Sequence, residues 1–368
     1  MPIDRDDIQA SVSSGLITEE QAAGIIALAE EREGIRQSTT GVDEPFELFK
    51  GFNEVFIIAG LTLLYLGWNG LTLAFGTFRD FDFVSRAIWP GVISLATLFW
   101  LANYFTLKRR MVGPSNAIVV MTTISAFQLG VALFARFFLQ EFELGDTFSF
   151  WTSVSAIFTP AFMIAILAMF WIIYRVPSTL FAIALSVYLL VFGITRSAGA
   201  ELTAFSDLFT LTASGPFAYL TILLGLIGFG IAMWFDMKDP HRVTRHAKNA
   251  FWLHIVAAPA IVNTVALTLF LNGGAAATGL LVIFLIFITV LALVVDRRSF
   301  LMSGIIYVIA LAASIDEGST VSVMLVLGLG LVGIGSQWAW LRNKVMTVLP
   351  YFPGKNRLPP WAQSLVET

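Results

Sequence analysis

Several residue types are scarce or missing in this chain, and each absence excludes a class of function. There is no cysteine among 368 residues, which excludes disulfides, thiol catalysis and thiolate metal sites. Charged residues make up only 13% of the chain, against about 25% in a typical soluble domain. The net charge of −3 gives no sign of a nucleic-acid partner. With three histidines as the whole imidazole inventory, we expect no metal site and no cofactor.

What replaces the missing polar residues is apolar surface. Hydrophobic residues make up 57% of the chain, and its mean hydropathy is +0.81. A water-soluble fold of this length would have too little polar surface to cover itself, so the expected solvent is lipid. The N-terminus has no basic segment followed by an apolar run, so we expect no cleavable signal peptide and insertion directed by the first membrane helix.

Apolar runs of the length needed to cross a bilayer, roughly 17–25 residues, recur along the chain. The ninth is shorter than this minimum. The predicted transmembrane spans are Val55–Phe75, Ala87–Leu107, Ala117–Ala135, Trp151–Tyr174, Ser178–Thr195, Pro216–Phe235, Ala250–Leu271, Thr278–Val295, Phe300–Ile315 and Ser319–Leu341.

The distribution of basic residues tests this count independently, because loops rich in Lys and Arg stay in the cytoplasm. The N-terminal segment, the even-numbered loops and the C-terminal tail hold 18 of the 22 basic residues. The odd-numbered loops hold four, namely Arg79, Arg86, Arg136 and Arg196. Omitting the weak ninth span would move the basic tail to the acidic face, so we retain it. Both termini are predicted to be cytoplasmic.

These observations predict an all-α integral membrane protein, a bundle of about ten transmembrane helices with a small N-terminal cytosolic helical hairpin. The predicted domains are an acidic hairpin and linker (1–50), a membrane domain (51–341) and a basic, proline-containing cytosolic tail (342–368).

The hairpin has its own local signals. Helices are predicted over Asp4–Ser14 and Glu19–Arg32, with Gly15 at the break between them. Thr18 and Gln21 form a capping box at the start of the second helix.

The run from Gly15 to Ala22, with sequence GLITEEQA, resembles the opening of an uncharacterised family of bacterial multi-pass inner-membrane proteins. Those proteins begin with a cytosolic "GxITxEQA" helical hairpin, and the family has no assigned activity. The resemblance implies a multi-pass protein of the bacterial inner (cytoplasmic) membrane.

So small a hairpin buries little core alone and should dock on something. The alternatives are a second copy in a homo-oligomer, the loops of its own membrane domain, or another protein bound through residues 1–33. An inert cytosolic cap is the fourth reading.

Loop six leads into the seventh span and contains the most polar segment of the chain. Asp239 followed by Pro240 predicts a helix beginning there. His254 falls within the membrane, where histidine is rare, which makes it the best single candidate for a functional residue. The basic residues before it suggest a cytosolic track or a site for anionic lipid headgroups, formed by Arg242, Arg245, His246 and Lys248. Positive-inside topology alone is the plainer explanation.

Other polar residues lie within the spans. Those proposed to share an intramembrane site with His254 are Asn263, Asn69, Asn103 and Gln128. Their default role is hydrogen bonding between helices. Gly60 with Gly67, and Gly328 with Gly335, are spaced seven residues apart and predict faces of close helix packing.

No acidic residue lies in the middle third of any predicted span, which argues against ion-coupled transport and against an intramembrane enzyme. The first functional hypothesis is non-enzymatic binding or passage of a small or lipidic solute between helices. The alternative is a membrane-anchored scaffold or regulatory protein that recruits a partner through its hairpin.

Overall fold

The structure is a computed structural model that describes residues 5–32, 51–77, 83–139, 148–212, 215–313 and 317–361. These residues contain thirteen α-helices and no strand. The helices are α1 (Arg5–Ser13), α2 (Glu19–Arg32), α3 (Phe52–Thr77), α4 (Phe83–Ala102), α5 (Val112–Phe134), α6 (Phe148–Tyr174), α7 (Ser178–Ser197), α8 (Phe217–Asp236), α9 (Arg245–Asn272), α10 (Gly274–Val295), α11 (Ser299–Ala313), α12 (Glu317–Ser336) and α13 (Trp338–Val348).

Eight of the described helices, α3 to α10, are long and apolar enough to cross a membrane. The chain is therefore a multi-pass membrane protein. The ninth predicted span coincides with α11, which has 15 residues. The tenth, predicted as one helix to Leu341, is divided between α12 and the start of α13. As membrane crossings both remain predictions. The linker predicted around residues 34–44 lies outside the described residues.

The chain divides into two compact units. The α3–α7 unit comprises Phe46–Thr203 with Gly215–Phe217, and the α8–α13 unit comprises the remainder, including the N-terminal hairpin. The sequence predicts a different division, into an N-terminal head, a membrane domain and a C-terminal tail. That division depends on whether water or lipid surrounds each segment, and it stays a prediction.

Helix α5 is the centre of the α3–α7 unit and contacts α3, α4, α6 and α7. Its apolar core includes Ile118, Leu167 and Phe170. The buried carboxylate of Glu54, on α3, accepts the Gly113 N–H at 2.8 Å and the Val112 N–H at 3.3 Å. Glu54 thus caps the N-terminus of α5, where the orphan N–H groups and the helix dipole favour a negative charge.

In the α8–α13 unit, α9 packs against α10 and α11 and forms the core. Helix α8 approaches α9 through Gly225, where an added Cβ would lie 3.0 Å from Ala260 Cβ. The packing role predicted for Gly60, Gly67, Gly328 and Gly335 is wrong. A Cβ placed at any of them has no described atom within 4 Å, apart from the adjacent residues and the backbone of its own helix. No described helix therefore depends on the small size of these glycines for a close approach.

Candidate functional site

Three charged or ionisable side chains meet at one end of the α8–α13 unit, and all three are buried. Asp236 is the last residue of α8, His254 lies in the third turn of α9, and Arg297 follows α10. Asp236 is 2% exposed, and the other two are fully buried. Arg297 donates from Nε to Asp236 Oδ2 at 3.2 Å and from Nη2 to Asp236 Oδ1, a bidentate pair. His254 Nε2 lies 2.9 Å from Asp236 Oδ2.

The environment of His254 is polar on one side and aromatic on the other. Because the Asp236 carboxylate only accepts, Nε2 is the donating nitrogen. Among the described residues Nδ1 has no hydrogen-bond partner. The rings of Phe229 and Phe300 lie edge-on, with centroids 5.7 and 5.9 Å from the imidazole.

A second ionic cluster lies beside the first and centres on Asp296, the C-cap of α10. Arg242 Nη1 lies 3.1 Å from Asp296 Oδ2, and Arg342 Nε lies 3.7 Å from Asp296 Oδ1. The Trp338 indole donates to Asp296 Oδ1 at 2.7 Å. Burial by itself raises the pKa of Asp296, but Arg242, Arg342 and the Trp338 N–H outweigh that effect and hold the pKa below its usual range.

The backbone at this cluster is strained. Arg242 and Asp296 both adopt left-handed conformations, with φ of 56° and 58°. Non-glycine residues rarely do so, at a cost of order 1 kcal/mol each. Their mutual contacts, including Arg242 Nη2 to the Asp296 carbonyl at 2.6 Å, keep both residues in place. Such strain is typical of functional sites and switch regions.

Asp239 organises the loop between α8 and α9. Its carboxylate accepts the N–H groups of Val243 at 3.0 Å, Thr244 at 2.8 Å and Ala247 at 3.3 Å, and the Thr244 hydroxyl at 2.7 Å. The prediction that α9 begins at Asp239 is wrong, because Thr244 is the N-cap and α9 starts at Arg245. The Asp239 carboxylate instead reaches across the turn and accepts one of the orphan N–H groups in the first turn of α9, that of Ala247.

The two clusters and the Asp239 loop together form an ionic network whose formal charges balance. It contains three carboxylates, from Asp236, Asp239 and Asp296, and three guanidinium groups, from Arg242, Arg297 and Arg342. A buried charge is costly unless it is paired and hydrogen-bonded, so this balance is what permits the burial.

The N-terminal hairpin docks on this network. The hairpin helices are observed at Arg5–Ser13 and Glu19–Arg32, and Gly15 between them has a φ of 74°. Both bonds of the predicted capping box are present, at 3.0 and 3.2 Å. The apolar face of α2 packs through Ala22 and Ile26 on Val243, the residue next to Arg242. Of the three docking alternatives, the structure shows the one in which the hairpin contacts a loop of its own chain.

The C-terminal segment is hydrogen-bonded to the same network. Arg342 donates to the carbonyls of Pro360 at 2.9 Å and Pro359 at 2.5 Å. Lys355 Nζ donates to the carbonyls of Met346 at 2.8 Å and Leu349 at 2.7 Å, the unpaired acceptors at the end of α13. Asp296 therefore contacts one arginine beside the hairpin's docking residue and another that holds the tail.

The other predicted intramembrane residues are divided between the two units, and the site that they are proposed to share with His254 stays a prediction. Asn103 and Gln128 are exposed, and Asn69 donates to the Tyr65 carbonyl of its own helix at 2.8 Å. These three belong to the α3–α7 unit. In the α8–α13 unit, Asn263 is half-buried, and its carbonyl lies 3.5 Å from the Tyr307 hydroxyl.

The predicted basic track divides into a buried and a surface part. Arg242 is buried in the network, whereas Arg245 is exposed. His246 is half-buried and stacks on Phe235 with a ring separation of 5.6 Å, and Lys248 is half-buried. Binding of lipid headgroups by this track stays a prediction.

Sequence reasoning missed Asp236, Asp296, Arg297 and Arg342 as site residues, because the arginines were explained by topology. A usable signal was present. The four even-numbered loops of the predicted topology contain three acidic residues, Asp236, Asp239 and Asp296, in segments otherwise selected for positive charge. All three belong to the network.

No family model, curated protein or solved structure matches this chain. Within the described residues there is also no group of three or more His, Cys, Asp or Glu side chains arranged to hold a metal ion.

The docking of the hairpin is expected to weaken as the pH rises. Partial burial, and then the neighbouring Asp239 carboxylate, raise the pKa of Glu19 above its ordinary value of 4.5. A raised pKa means that docking takes up a proton, so its contribution is fully present below that ordinary value and is lost as the pH rises through the value in the docked state. A dye on Ser13→Cys, in this cysteine-free chain, should show decreasing fluorescence anisotropy over that rise.

Glu19→Gln should flatten this pH dependence and keep the hairpin docked. Glu20→Gln, at an exposed carboxyl on the same turn, is the matched control and should leave it intact. An unchanged transition in Glu19→Gln would show that another group is responsible.

Proposed function

We propose that this chain is a non-enzymatic membrane-anchored regulatory protein that recruits a protein partner through its N-terminal hairpin. The supporting observation is that the hairpin packs on Val243, beside a buried ionic network that reaches the ends of α8, α10 and α13. In this proposal, movement of the hairpin changes the packing of these helix ends. The ionic network transmits the change, because it contacts both the hairpin's docking residue and the helices.

Part of the hairpin's apolar surface remains uncovered after docking. Leu16 is 78% exposed, Leu28 58% and Ile25 46%. Around this surface the sequence is acidic, since residues 1–33 contain eight acidic and two basic residues. An acidic rim disfavours an anionic membrane surface, so the partner we propose is a protein with an apolar pocket and basic edges.

We further propose ten membrane crossings, with α11 and α12 as the last pair, and cytoplasmic N- and C-termini in a bacterial inner membrane. The 18:4 division of basic residues supports this orientation. So do pairs of a cation and an aromatic ring at the ends of α4, α6 and α8, namely Arg109 with Tyr104, Arg175 with Trp171 and Lys238 with Trp234. Impermeant maleimide should label Ala200→Cys, but not Ser13→Cys, in intact cells.

Site-specific photo-crosslinking in living cells tests the recruitment. A photoreactive residue at Leu28 should yield one discrete protein adduct, and the same residue at Ala10, exposed on α1, should not. The adduct should disappear when Leu16 and Ile25 are changed to serine, while docking on Val243 persists. Only lipid adducts at Leu28, or a phenotype that is insensitive to deletion of residues 1–44 but lost in His254→Ala, would refute recruitment and favour the solute hypothesis.

A further inference from the structure

The α3–α7 unit contains buried hydroxyl groups that the regulatory proposal does not use. Thr122 on α5 and Thr179 on α7 are fully buried, and Thr159 on α6 is 3% exposed. None of these three hydroxyls has a hydrogen-bond partner among the residues that the structure describes. Leaving a hydroxyl buried and unpaired costs about 1–3 kcal/mol, so three of them in one unit require a reason.

A threonine hydroxyl in a helix can find a hydrogen-bond acceptor within its own helix, and other threonines of this chain do so. A threonine hydroxyl can donate to the carbonyl four residues earlier. Thr123, the neighbour of Thr122, donates to Val119 in this way at 2.8 Å, and Thr62 and Thr195 do the same with Ile58 and Val191. Thr122, Thr159 and Thr179 differ in leaving their hydroxyls without such a bond.

Three further polar side chains of α5 form hydrogen bonds with side chains outside α5. Ser115 contacts the Thr106 hydroxyl at 2.8 Å near the start of α5, and Asn116 accepts from Ser178 at 2.7 Å. Deeper along α5, Ser125 contacts the Tyr65 hydroxyl at 2.9 Å. Thr159 lies beside Gly130, where an added Cβ would be 3.2 Å from its methyl group.

The rise of a helix places these groups along the membrane normal. At about 1.5 Å per residue, the positions from Ser115 to Gly130 span roughly 22 Å of a hydrocarbon core about 30 Å thick. Thr179 follows Ser178 at the shallow end. Ser186 lies roughly 12 Å further along α7 from Ser178 and is also buried, with its hydroxyl donating to the Ala182 carbonyl at 2.8 Å. Polar side chains from Ser115 to Ser125 therefore recur along α5 at intervals of no more than about 9 Å.

The chemistry of these groups selects the ligand. Helices α5 and α6 contain no Asp, Glu, Lys or Arg, and the buried Glu54 of α3 is already engaged at the N-terminus of α5, so neither helix offers a countercharge for an ion. Hydroxyls both donate and accept, which suits water and other small neutral molecules with hydroxyl groups. We propose that Thr122, Thr159 and Thr179 bind successive molecules of water or a small neutral polyol and line a path for them through the α3–α7 unit. This is a second activity, independent of the hairpin.

The test is the permeability of proteoliposomes that contain the full chain, measured for water and for glycerol by stopped-flow light scattering. We expect permeability to one or both several-fold above that of protein-free vesicles. Thr122→Val and Thr179→Val, which replace the hydroxyl by a methyl group, should each reduce it markedly. Thr123→Val is the matched control and should retain it, because the Thr123 hydroxyl is satisfied within its own helix.

A second measurement separates a ligand from a mere packing defect. If Thr122 is simply unsatisfied, valine removes a penalty, and Thr122→Val raises the melting temperature without a change in permeability. That result would overturn the proposal, as would wild-type vesicles no more permeable than protein-free ones. A loss of permeability in Thr122→Val with an unchanged or lowered melting temperature supports it.

Discussion

Asp236→Ala is expected to lower the melting temperature of this protein by roughly 10 °C, the largest effect of any single network substitution. The substitution leaves Arg297, which is fully buried, without the carboxylate that it contacts twice, and it removes the acceptor of His254. Breaking a buried pair by removing one partner costs about 3–5 kcal/mol, because the remaining charge is stranded. The change can be followed by intrinsic tryptophan fluorescence on heating, since the chain has ten tryptophans.

Two comparison variants identify the cause. Asp236→Ala combined with Arg297→Leu removes both charges, and it should recover a large part of the lost stability. Lys238→Ala, two residues away at an exposed cation that lies 3.6 Å from the Trp234 ring centre, should shift stability by no more than about 0.5 kcal/mol. If the double variant is as unstable as the sum of its single changes, the stranded-charge explanation is wrong.

The second large effect is expected at Gly193, where α7 comes closest to α6. A Cβ at this position would overlap the carbonyl oxygen of Ala156. That oxygen belongs to helix backbone and cannot rotate away, so the helices must separate and lose packing along their length. Gly193→Ala should therefore destabilise the protein by about 3 kcal/mol, at the upper end of what overpacking typically costs. Thermal unfolding in detergent measures it.

Gly228→Ala is the control for helix propensity. Gly228 also faces a neighbouring helix, but a Cβ there would lie 3.6 Å from Ala257 Cβ, an ordinary contact. This change should be neutral or mildly stabilising, because alanine favours a helix by about 1 kcal/mol over glycine. Equal losses of stability in Gly193→Ala and Gly228→Ala would contradict the explanation based on the close contact between Gly193 and Ala156.

Local features of this fold follow from local sequence. The capping box of Thr18 and Gln21, the break at Gly15 and the bounds of α2 were all predictable, because each depends on residues a few positions apart. The position of His254 within a long apolar helix was predictable for a similar reason, because it depends only on the apolar residues around it in the sequence.

The network was not predictable in the same way. Asp236 and Arg297 are 61 residues apart, and Arg242 and Asp296 are 54 apart. Periodicity shows which residues share a face of one helix but not which helix ends meet. Glycine spacing likewise identified the wrong packing faces, because close approach depends on the partner helix, as the contact of Gly193 with Ala156 shows.

The fastening of the tail by Arg342 has a consequence for biosynthesis. Pro359 and Pro360 leave the ribosome 17 and 18 residues after Arg342, and Arg342 in turn is synthesised 46 residues after its partner Asp296. The bonds from Arg342 to the two prolines are thus the last of the network to form. A nascent or prematurely terminated chain carries an arginine that has no acceptors for two of its donors, at the cytosolic end that we propose. The α8–α13 unit therefore gains its full stability only after Pro360 has been added, and a chain that stops before Pro359 is expected to unfold and be degraded more readily.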